Sequence, residues 1–124
     1  MQWGHYHIML SALLWHGASS DAAALAFAER IGGALVKAFG GDPQKLYDCG
    51  ALEQNCAILH SVALLYSVNQ DPTLLALCNT ILAEWQMAPG GDYMRNALKG
   101  QVGARCPVSF HSSVVLVLSL CAVI

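Results

Sequence analysis

Leu10-Ser11-Ala12-Leu13-Leu14-Trp15-His16 and, fifty positions on, His60-Ser61-Val62-Ala63-Leu64-Leu65-Tyr66 decide how this chain is built. Four residues follow each copy, and then Asp21 falls on Asp71, Leu25-Ala26 on Leu75-Ala76 and Ile31 on Ile81. Identities are few. The apolar pattern nevertheless keeps register without a gap, and a fixed period of this length marks a repeated supersecondary unit.

Each unit predicts two helices. In the first, a helix over 5–16 leads through a turn at 17–20 to a second helix that Asp21 caps and Gly40-Gly41 ends. Aspartate accepts the unpaired N–H groups of a first turn, and glycine supplies a left-handed exit. In the second unit the helices run over about 52–67 and 72–87. There Asp71-Pro72 is the start signal, because proline suits the first helical position. Pro89-Gly90-Gly91 ends that helix. No stretch alternates as a strand does, apart from a weak β-branched pattern in the tail.

The two helices of a unit differ in charge. Residues 5–16 and 55–67 carry no formal charge, which predicts helices surrounded by protein. The second helices carry Glu29, Arg30 and Lys37, or Glu84, and so are expected to turn one side to solvent. An inner and an outer layer of helices follow. The turns within a pair are short, whereas the returns over about 40–51 and 88–109 are long. All long returns then lie with the amino termini of the inner helices, and that end is nominated as the working face. It would gather residues near 3–7, 47–54 and 93–111. A third copy begins at His111-Ser112-Ser113, fifty-one positions after His60, and stops at Ile124 where an outer helix is due. The chain therefore reads as one partial domain: a hairpin over 3–40, a second over 51–88, then a long loop and an incomplete third unit over 89–124.

Composition limits the functions open to it. The 124 residues are 56% hydrophobic and 11% charged, with a mean hydropathy of +0.47. Soluble domains usually carry about 25% charge, so this chain must bury most of its surface and is not disordered. Left uncovered, its apolar faces would drive self-association. Six Lys/Arg against eight Asp/Glu give a formal charge of −2, with no basic stripe for nucleic acid. The longest apolar run, 114–124, falls well short of the roughly 20 residues of a membrane span. Met1-Gln2-Trp3-Gly4-His5 lacks the basic start of a secretory signal. The five cysteines form no Cys-x-x-Cys pair, which argues against a zinc ribbon and a dense disulfide framework alike.

Trp3-Gly4-His5-Tyr6-His7, the apolar helix after it, Ser20-Asp21 and the Ala-rich helix to Phe39 resemble the (α/α)6-barrel glycoside hydrolases of the β-L-arabinofuranosidase type. Leu64-Leu65-Tyr66 through Asp71 to Trp85 is similar to the next hairpin of that barrel, and Leu98-Lys99-Gly100 to the segment after it. The resemblance spans about 3–101, with His60 standing where some relatives carry an acidic residue. It implies an all-α fold of stacked antiparallel hairpins, part of an (α/α)6 toroid, and a carbohydrate ligand. It also implies that the catalytic carboxyl pair lies on hairpins beyond this chain, which would supply part of the sugar-binding wall. The competing class is a helical-repeat interaction module without chemistry.

Four residues are candidates for substrate contact. Trp3 and His5 lead the first inner helix, where an indole face stacks on sugar C–H groups and an imidazole reads a hydroxyl. Asp48 and Glu53 flank Gly50 at the entrance to the second inner helix. Glycosidases use two carboxyl groups, but a helix-capping Glu53 beside a solvated Asp48 is the plainer reading of this pair. His5, His7 and His16 do not make a metal site, because residues two apart on a helix face different ways and no carboxylate or thiol stands nearby. No cofactor motif is present, and the glycine-rich phosphate cradle is missing. His60, mid-helix on an apolar segment, is expected to be a hydrogen-bonded core histidine. The cysteines are expected to pack as small apolar side chains.

Overall fold

The computed structural model describes residues 2–41, 46 and 57–86. These residues form four helices and no strand: α1 Gln2–Ser19, α2 Ala22–Phe39, α3 Ile58–Asn69 and α4 Pro72–Gln86. The β-branched tail, the third copy, Leu98-Lys99-Gly100 and the returns over 47–56 and 87–109 lie outside the described residues. Helix α1 packs along α2, α3 along α4, and α1 also lies against α3. Helix α2 touches both α3 and α4. Among the described residues no helix is long and apolar enough to cross a membrane.

The fifty-residue repeat is reproduced in the backbone of the two short turns and in the aspartate caps that follow them. Ser20 and Gln70 both take φ 56°, the left-handed region. Their N–H groups donate to His16 O at 2.7 Å and Tyr66 O at 2.8 Å, closing the helices before them. Asp21 Oδ1 then accepts from the Ala23 N–H at 2.8 Å, and Asp71 Oδ1 from the Thr73 N–H at 2.9 Å. Even the residue before each turn repeats, with Ser19 Oγ accepting from the Asp21 N–H and Asn69 Oδ1 from the Asp71 N–H. These bonds satisfy N–H groups that a helix start leaves unpaired. They also hold both carboxyls below the ordinary aspartate value. At Asp21 the Ala23 N–H contributes most, followed by the Trp15 indole; at Asp71 it is the Thr73 hydroxyl, then its N–H.

Three expectations change. The turn at 17–20 shrinks, because α1 runs on through Gly17 to Ser19 and reverses at Ser20 and Asp21 alone. The left-handed exits fall on Ser20 and Gln70, whereas Gly40 is right-handed at φ −79°. Glycine is needed at 40 for a different reason: a Cβ there would sit 2.6 Å from Val36 O. Third, Glu84 does not face solvent. It is buried, and its Oε2 accepts from the Leu46 N–H at 2.6 Å. A buried carboxylate requires such partners, and this bond ties the long return to α4.

Both pairs share one core. Met9 and Leu13 of α1, Ala28 and Leu35 of α2, Ile58, Val62 and Leu65 of α3, and Leu74 and Ile81 of α4 are all buried in it. Each large aliphatic side chain removed from water in this way contributes about 1.5–3 kcal/mol. Gly32 lets the pairs approach, since a Cβ on it would lie 2.6 Å from Leu65 Cδ2 and 3.2 Å from Leu74 Cδ2. Among the outer-helix charges, Glu29, Arg30 and Lys37 are exposed as expected. Helix α3 is enclosed over most of its length, but α1 is not: Ile8, Leu14 and Trp15 are largely exposed. An uncharged helix was expected to be covered all round, and the described residues leave this face of α1 open.

Candidate functional site

The amino-terminal ends of α1 and α3 meet, and polar aromatic groups collect there. Tyr6 Oη lies 3.2 Å from His60 Nδ1, and the Tyr6 and His60 rings are 5.9 Å apart. The His7 ring stands edge-on to Tyr6 with centroids 4.8 Å apart. His5 is on the same turn of α1 and exposed. Burial lowers the pKa of His60 from its ordinary 6.5, favouring the neutral ring. A neutral imidazole protonated at Nε2 accepts the Tyr6 O–H at Nδ1. This arrangement presents ring faces, hydroxyl and imidazole groups at the end nominated from the loop lengths.

His60 is thus hydrogen-bonded as expected from the sequence, but half-buried at the end of the helix pair and not enclosed in the core. Of the four candidate contacts, His5 is placed at this end. Trp3 lies in the first turn of α1, but its side chain, together with Asp48 and Glu53, lies outside the described residues. Tyr6 was not singled out by sequence reasoning. Its partner is 54 positions away, and only the packing of α1 on α3 brings the two together. Among the described residues no group of three or more His, Cys, Asp or Glu side chains is placed to hold a metal ion. Cys78 is buried within the apolar core.

A second concavity lies between α1 and α2. It is an open groove of about 560 Å³, with Ile8, Ala12, Ala24 and Phe27 as its apolar floor and Trp15 along one wall. Trp15 Nε1 donates to Asp21 Oδ2 at 3.2 Å, so the indole is fixed by the carboxylate that caps α2. Ser11 and His7 lie on the groove, and the Ser11 hydroxyl donates to His7 O at 2.8 Å. Most of this surface is apolar, and its polar atoms are largely satisfied within the chain. That chemistry suits a helix better than a hydrated ligand. The sequence contained a signal for it: six of its positions align with apolar or small positions of the second unit, where the same pattern is buried. No protein-family model, curated protein or solved structure matches the chain.

Proposed function

We propose that this chain is a segment of a ring of stacked antiparallel helical hairpins, an (α/α)6 toroid of the glycoside hydrolase kind. In this reading it supplies a stretch of carbohydrate-binding wall and not the catalytic pair. The observation that carries it is the Tyr6–His60 contact, flanked by His5 and His7, at the joined amino-terminal ends of α1 and α3. Sugar sites combine ring faces with a few fixed donors and acceptors, and this end offers both. Trp3, Asp48 and Glu53 would extend the wall from the first turn of α1 and from the return before α3.

The test uses the full chain with neutral oligosaccharides and aryl glycosides, following the imidazole Hε1 signals of His5, His7 and His60 by NMR. The expected result is saturable shifts of those signals, lost in Tyr6→Phe, with no turnover of the aryl glycosides. Binding should weaken as pH falls below 6.5, because a protonated His60 donates from both nitrogens and no longer accepts the phenol proton. No shifts at high sugar concentration would end the carbohydrate reading, and clear turnover would overturn the placement of the catalytic pair elsewhere. The interaction-module reading draws its support from the apolar groove between α1 and α2.

A further inference from the structure

The two hairpins are built on one plan, so the face that one of them buries says what should cover the same face of the other. In the second hairpin Ile58, Leu65 and Leu77 are 1%, 0% and 1% exposed. Fifty positions earlier stand Ile8, Trp15 and Phe27, which line the groove and are 52%, 60% and 40% exposed. Leu74 has its counterpart in Ala24 on the groove floor. What covers this face of the second hairpin is the first hairpin: Leu65 and Leu74 close on Gly32 of α2, and Asn69 Nδ2 donates to Glu29 Oε1 at 3.3 Å. The groove is therefore the unpaired equivalent of an interface already present in the molecule.

We propose that the groove between α1 and α2 receives the α3–α4 hairpin of a second copy of this chain, so that copies add head to tail. The seating surface is obtained by carrying the first hairpin's contacts forward by fifty positions. Glu29 becomes Asn79 and Gly32 becomes Leu82, the first exposed and the second half-buried on α4. In the docked pair, Asn79 of one copy approaches Ser19 of the next, as Glu29 approaches Asn69 within the chain. Leu82 meets the floor at Ala24. A contact between two different surfaces continues until the rotation closes a ring or an open stack forms. The inference rests on the repeat and its buried interface, and does not depend on the carbohydrate reading.

Two measurements on the full chain decide it. The first mixes a chain carrying Ser19→Cys with one carrying Asn79→Cys and adds a short bis-maleimide, with each variant alone and the unsubstituted chain as controls. Both positions are exposed, so neither substitution disturbs the core. Cross-linked dimers that form only in the mixture are expected. Products dominated by position 19 joined to position 19 would mean groove-on-groove pairing and would overturn the head-to-tail arrangement. Linkage of position 19 to Cys106 or Cys121 of the same chain would mean that the chain's own carboxy-terminal segment fills the groove, which also overturns it. The second measurement is sedimentation equilibrium from low micromolar to near-millimolar concentration. Mass is expected to rise with concentration, and Phe27→Lys should weaken the association by at least about tenfold, as for a residue central to an interface. Ile8→Glu should do the same, giving a second reading if the first variant loses helicity by circular dichroism. A monomer throughout, or association indifferent to both substitutions in folded protein, would refute the proposal.

Discussion

Helices α1 and α3 occupy the same place in two copies of one pattern, and their surroundings are opposite. Helix α3 has its apolar side chains pressed against α1, α2 and α4, whereas α1 leaves Ile8, Leu14 and Trp15 to solvent. The turns after them nevertheless share the left-handed residue, the N–H bond that closes the helix and the aspartate cap. Local chemistry thus sets the turn, and the neighbours set the burial. A hairpin repeat cannot enclose its own inner helix; the adjacent repeat has to do it.

The comparison breaks most visibly at the equivalent pair Leu65 and Trp15. Leu65 is fully enclosed, so Leu65→Ala should cost about 2–5 kcal/mol through lost transfer energy and the cavity left behind. Trp15→Ala removes a larger side chain, yet one mostly in water and held by one exposed bond to Asp21, so about 1 kcal/mol or less is expected. Urea unfolding at low chain concentration measures both. Equal losses would mean that the groove is filled even in the isolated chain, and the asymmetry between the hairpins would disappear.

Adjacent glycines on α2 sharpen the same contrast within one helix. Gly32 is buried at the junction of the pairs, and a Cβ on Gly33 would have nothing within 4 Å. Alanine is favoured over glycine in a helix interior by about 0.5–1 kcal/mol, and Gly33→Ala should gain roughly that. At position 32 the same gain opposes overpacking against Leu65 Cδ2 and Leu74 Cδ2, which costs about 1–3 kcal/mol. Gly32→Ala should therefore come out destabilising, by up to about 2.5 kcal/mol. Opposite signs in thermal unfolding support Gly32 as the point of closest approach. A stabilising Gly32→Ala would show that the pairs have room to slide.

The sequence carried whatever depends on spacing. The fifty-residue offset, the two aspartate caps, the four helices and the hydrogen-bonded His60 were all legible, because each follows from a local preference or an apolar period. Glu84 was not legible. A carboxylate on an outer helix reads as solvent-facing, and its bond from the Leu46 N–H, 38 positions away, is invisible to local reasoning. Tyr6 as the partner of His60 was hidden for the same reason. The open face of α1 was hidden too, since an uncharged helix looks identical whether or not its neighbour is present. At the candidate site, the end of the molecule was legible from loop lengths, and the pairing of groups across two helices was not.

The left-handed residues provide the finest test of how alike the units are. Neither Ser20 nor Gln70 is glycine, and an L side chain in that region costs about 1–2 kcal/mol. Replacing Ser20 by glycine relieves that strain but adds freedom to the unfolded chain, leaving a net gain of about 0.5 kcal/mol. Ser20 holds the turn through its backbone N–H, a bond that glycine keeps. Gln70 differs, because its Nε2 donates to Tyr66 O at 3.1 Å and to Ser67 O at 3.3 Å, covering two carbonyls at the end of α3. Gln70→Gly forfeits those bonds and should come out near neutral. If both variants gain equally, the Gln70 side chain adds nothing beyond solvation. If Ser20→Gly loses stability, the turn at 20 is held by more than its dihedral angle, and the two turns are alike in shape but not in energy.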